Sequence, residues 1–100
     1  MVYPHFDKTI HEQTKLKILT YLSSHGQNSF VEIKKGLKLT SGNLSVQLKT
    51  LEEKGLINQK RTIDNRKTIT EVKITDEGKS ALMEYLEEME NLLSHIKKGM

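Results

Sequence analysis

Two stretches of helical periodicity between Ser29 and Lys54 are joined by only about four residues, Gly36 to Leu39. A joint that short, with a glycine in it, is the length at which two helices cross steeply, at roughly 90–120°, over a shared core. The sequence on either side supplies the ends. Ser29 followed three residues later by Glu32 forms a reciprocal cap, each side chain satisfying the other's free backbone donor, and predicts a short helix from Phe30 to Lys35 stopped by Gly36. Thr40 then caps a helix over Ser41–Lys54, whose Leu44, Leu48 and Leu51 make one apolar stripe before Gly55 ends it.

The rest of the chain must fit around that joint. Leu16, Ile18, Leu19 and Leu22 recur at helical spacing and place an earlier helix over Thr14–Ser24, stopped by Gly26, with a short turn expected at Asp7–Ile10. After Gly55 the pattern turns β-prone in Leu56–Thr62 and again in Thr68–Ile74, with Asp64 and Asn65 as turn formers, which predicts a hairpin whose tip is Ile63–Lys67. Alternation turns Val72 and Ile74 inward and Glu71 and Lys73 outward. Thr75 caps a last helix running to about Lys98, where Leu82, Leu86, Met89, Leu93 and Ile96 form a heptad seam that Tyr85 and Leu92 widen. A helix of that length spans about 35 Å, more than the core of a small domain covers. One edge is expected to pack on its own domain, the other on a second subunit.

Composition narrows the function. No run approaches the roughly 18 apolar residues of a membrane span, and MVYPHFDKTIHEQ lacks the layout of a signal peptide, so a cytoplasmic protein is expected. The chain has no cysteine, which removes disulfides, thiolate metal sites and cysteine nucleophiles. Residues 28–74 carry ten Lys or Arg against five acids, whereas residues 75–100 carry three against six. A basic middle beside an acidic tail points the middle toward a polyanion, although a mixed solvated surface remains the competing explanation. No nucleophile–base pair, pocketed carboxylate pair or glycine-rich phosphate loop is present, so the chain is expected not to be an enzyme and to need no cofactor. His5, His11, His25 and His95 have no metal-ligand spacing, so no metal site is predicted.

The order helix, helix, helix, hairpin, helix, with TSGNLSVQLKTLEEKGLI in its middle and ITDEGKSAL after the hairpin, resembles winged helix-turn-helix transcriptional regulators of the MarR and ArsR type. The resemblance covers residues 7–98, with IHEQTKLKIL in the first helix. It implies an α+β, mainly α fold: a three-helix core, a two-stranded wing and a long C-terminal dimerisation helix. Residues 1–100 then form a single domain, with its core at 7–74 and the dimerisation helix at 75–98. It further implies a homodimer on a roughly palindromic operator in double-stranded DNA, with helix 41–54 in the major groove and wing 62–68 on the backbone or minor groove. Half-sites would lie about one helical turn apart. Repression by occlusion is the default outcome, and the small-molecule effector stays open.

A helical wheel turns Gly42, Ser45, Val46, Lys49 and Thr50 away from the leucine stripe and sets Asn43 and Gln47 on its shoulder. Small residues at Ser41, Gly42 and Ser45 let the helix N-terminus approach a phosphate. The amides of Asn43 and Gln47 match the donor and acceptor of adenine, and Val46 suits a thymine methyl. The resemblance supports Thr40, Ser45 and Gln47 most directly, and Lys49 is a phosphate candidate. In the wing, Arg61, Arg66 and Lys67, with Lys60, are the candidate DNA contacts, while Asp64 in the same loop argues against deep insertion. The expected dimer interface is Leu82, Tyr85, Leu86, Met89, Leu92, Leu93 and Ile96. The rival from another class is a winged helix serving as a protein-interaction module in a larger assembly, which would call for a more apolar outward face.

Overall fold

The computed structural model describes residues 13–99; the turn expected at Asp7–Ile10, and His5 and His11, lie outside them. Helix α1 covers Gln13–His25, a two-residue strand β1 covers Asn28–Ser29, and α2 covers Phe30–Leu37. Helix α3 covers Ser41–Glu53, the hairpin strands are β2 (Ile57–Asp64) and β3 (Lys67–Ile74), and α4 covers Asp76–Lys98. This is the winged-helix arrangement: helices and a small antiparallel sheet around one core, with the hairpin projecting.

Local chemistry sets most of the boundaries. Ser29 Oγ accepts from the Glu32 amide at 3.1 Å while the Ser29 amide donates to Glu32 Oε1 at 3.3 Å, so the reciprocal cap is formed. Thr40 Oγ1 accepts from the Asn43 amide at 3.1 Å and Thr75 Oγ1 from the Gly78 amide at 2.9 Å, starting α3 and α4. Gly26 and Gly55, at φ +74° and +76°, turn the chain out of α1 and α3.

Gly36 behaves otherwise. It does not end α2, which runs on to Leu37 and is capped by Lys38 in the left-handed conformation at φ 55°. The ring of Tyr21 on α1 lies close to position 36: a Cβ there would fall 2.9 Å from Tyr21 Cε2, and the ring would have to shift. That close approach lets α2 cross α1.

The hairpin is part of a three-stranded sheet in the order β1-β3-β2, not a free two-stranded ribbon. Asn28 pairs with Val72 and Ser29 with Glu71, so the residues leading into α2 are stitched to the base of the wing. Asp64 belongs to the ladder opposite Lys67, and the turn is Asn65–Arg66, both at positive φ (49° and 65°). Two consecutive left-handed residues are what a tight hairpin turn of the native twist demands, and asparagine tolerates that conformation readily.

Ile18, Leu19 and Leu22 of α1, Ile33 of α2, the three leucines of α3, Ile57, and Val72 of β3 are wholly buried or nearly so. Each contributes about 1.5–3 kcal/mol by burial. Leu82 and Tyr85 of α4 join the same core. Both were expected in the dimer seam, and the structure corrects that: the early turns of α4 lie over the protomer's own core, which takes these two side chains at 3% and 8% exposure. Met89 is half-buried against that core and Leu92 is half-buried. Leu86, Leu93 and Ile96 remain exposed, together with Met83.

Candidate nucleic-acid interface

Burying Leu44, Leu48 and Leu51 fixes the rotation of α3 about its axis, and the opposite face follows from helical geometry. Ser41, Gly42, Asn43, Ser45, Val46 and Lys49 are exposed, while Gln47 and Thr50 are half-buried. Val46, at 63% exposure, is the one large apolar side chain on that face. Thr50 Oγ1 donates to the Val46 carbonyl at 3.2 Å, so its hydroxyl is already engaged. Gln47 Nε2 donates to Asn43 Oδ1 at 3.2 Å, one helical turn back toward the N-terminus. A Cβ at Gly42 would meet nothing within 4 Å, so neighbouring packing does not demand a glycine there.

α3 is also braced at its far end. Glu52 Oε2 accepts from the Gln59 amide at 2.9 Å, tying the last turn of α3 to β2. Nothing local to Glu52 signals this contact, which depends on where β2 begins.

The wing brings the expected basic residues to one hairpin but not to one face. Arg61 pairs across from Thr70 and Lys67 from Asp64, and by strand alternation these two pairs lie on opposite sides of the ribbon. Arg66 sits in the turn itself, and all three are exposed. The face that carries Ile57, Val72 and Ile74 into the core at the base of the hairpin runs past the end of the core, so Ile63 at the tip is 81% exposed.

Some polar residues missed in the sequence prove structural. Asn28 is buried, its Nδ2 donating to the His25 carbonyl at 3.5 Å. Gln27 Nε2 donates to Glu71 Oε2 beside it. His25 stacks on Tyr21 at 4.2 Å and its Nδ1 lies 2.9 Å from the Tyr21 carbonyl; His95 is exposed on α4. Among the described residues no three His, Asp or Glu side chains gather as metal ligands.

Residues 14–93 match the family model of a winged helix DNA-binding domain. The chain belongs to that family. This winged-helix domain is 33% identical over 90 residues to an uncharacterised protein of Methanocaldococcus jannaschii, covering 90% of this chain and 98% of that one. It is 27% identical over 84 residues to the uncharacterised HTH-type transcriptional regulator YdgJ of Bacillus subtilis, spanning 84% of its own length and 51% of YdgJ. Among solved structures, a transcriptional regulator homologue from Pyrococcus horikoshii superposes with a TM-score of 0.83 at 28% identity, covering 88% of this chain and 87% of that one. A MarR mutant from Escherichia coli shares the fold at a TM-score of 0.72 and 21% identity, over 88% of this chain and 65% of that one. The chain is thus a winged-helix domain of a DNA-binding family, with a fold that the MarR mutant shares. No described helix is long and apolar enough to cross a membrane.

Proposed function

We propose that this protein is a sequence-specific transcriptional regulator that binds double-stranded DNA as a homodimer, and that it acts as a non-enzymatic repressor by occluding the promoter. Helix α3 enters the major groove and the wing lies along the backbone or over the minor groove, with two half-sites about one helical turn apart. The carrying observation is the exposed face of α3, where small and polar side chains surround a single apolar residue and the leucines point the other way. Thr40, Ser41, Asn43, Ser45, Val46, Gln47 and Lys49 make up the groove-facing set. Arg61, Arg66 and Lys67 supply backbone contacts from the wing, which bring affinity more than sequence preference. Leu86, Leu93 and Ile96, with Met89 and Leu92 at the edge, form the contact between protomers. Residues 1–100 act as one domain in the cytoplasm.

Selection of bound sequences from a random duplex pool tests this reading directly. A palindromic motif, with binding that weakens steeply as salt rises, is the expected result. A protein-interaction module would enrich no sequence, and its partner would seat on Val46 with little dependence on salt.

A further inference from the structure

We propose that the two amides on the shoulder of α3 have different tasks: Asn43 reads an A·T pair in the major groove, and Gln47 is a positioning residue that holds Asn43 for it. The inference rests on the DNA-binding reading above and divides a pair of residues that the sequence presents as equivalent. The structure makes them unequal. One hydrogen of Gln47 Nε2 is given to Asn43 Oδ1 at 3.2 Å, and Gln47 Oε1 is buried with no hydrogen-bond partner. A base edge approaching α3 therefore cannot find a paired donor and acceptor on Gln47, because its amide oxygen is enclosed.

Asn43 is exposed and lies one turn nearer the helix N-terminus, the end that leads into the groove in helix-turn-helix proteins. Its backbone amide is taken by Thr40 Oγ1, which fixes the main chain at that position. Its side chain keeps both Nδ2 hydrogens and one lone pair of Oδ1, since a carbonyl oxygen accepts two bonds. Adenine offers N7 as an acceptor and N6 as a donor on its major-groove edge, the complement of that inventory. The division holds whichever way the amides are turned: if Asn43 Nδ2 donated to Gln47 Oε1 instead, Asn43 would still have one N–H and its whole oxygen for the base. Pinning one end of Asn43 in the free protein reduces the side-chain freedom lost on binding, which is how a residue that never touches the base adds to discrimination.

The test is the same duplex selection run on the full chain and on Asn43→Ala, Gln47→Met and the double variant, with thermal unfolding of each as a folding control. The wild-type motif should hold an A·T pair at one position in each half-site. Asn43→Ala should lower that preference on the order of tenfold and leave the other positions as they were. Gln47→Met should lower it at the same position by a smaller factor, and should add nothing in the Asn43→Ala background. If Gln47→Met instead erases preference at a different base pair, or the two losses add, Gln47 reads a base itself and the proposal falls. An Asn43→Ala motif identical to wild type also overturns it, with DNA binding untouched. A wild-type protein that enriches no motif removes the DNA-binding reading, and this inference with it.

Discussion

The carbonyl oxygen of Leu56 fills the space that a side chain at Gly78 would need: a Cβ there would fall 2.1 Å from it and 2.8 Å from Ile74 Cγ1. The same carbonyl accepts from the Thr75 amide at 3.0 Å, and Thr75 Oγ1 donates to the Gly55 carbonyl at 2.6 Å. The start of α4 is thus clamped onto the chain leaving α3. Gly78→Ala should cost about 3 kcal/mol, because the obstacle is backbone and has no rotamer to move into. Urea unfolding measures it, and a loss below about 1 kcal/mol would mean that α4 slides easily on this contact.

Gly42 is the opposite case. It lies in the first turn of α3 with open space around it. Gly42→Ala should stabilise the protein by roughly 0.5–1 kcal/mol through helix propensity. On duplex DNA the same methyl would stand between the helix amides and a phosphate, so affinity should fall severalfold while the melting temperature rises. Unchanged affinity would place the helix N-terminus away from the backbone.

Arg66 occupies a left-handed turn position that costs a non-glycine residue about 1 kcal/mol. Arg66→Gly should therefore raise stability by about that amount. The variant should bind DNA more weakly, with a dependence of log affinity on log salt shallower by about one. Anisotropy titrations at several salt concentrations decide this; an unaltered slope would show that the turn does not meet a phosphate.

The apolar residues of α4 divide by depth. Leu86→Glu or Leu93→Glu should leave the fold intact, shift sedimentation toward the monomer and weaken operator binding. Leu82→Glu should unfold the domain, since it puts a charge into the core that Leu82 fills. Dimers that persist in both exposed-site variants would refute the interface.

Features that depend on residues three or four apart were legible in the chain itself. The Ser29–Glu32, Thr40 and Thr75 caps each close within one helical turn and the leucine stripe of α3 repeats every three or four residues, and a local interaction leaves a local pattern. The outward set on α3 followed from the stripe, because rotating one face inward turns the other out. The turn was misplaced by one residue. Asp64 and Asn65 are both turn formers by composition, and only the ladder register puts Asp64 in a strand.

What the tertiary structure alone decided involves partners far apart in sequence. β1 has two residues and no periodicity, and it exists because Val72 and Glu71 lie alongside it. Gly36 lies against Tyr21 instead of acting as the helix stop expected of it, and the space at Gly78 is set by Leu56, 22 residues earlier. The heptad seam of α4 runs evenly in sequence, yet Leu82 and Tyr85 go to the core while Leu86, Leu93 and Ile96 stay in solvent. Periodicity states that a helix has an apolar face; only the packed neighbours determine how much of that face the protomer covers by itself.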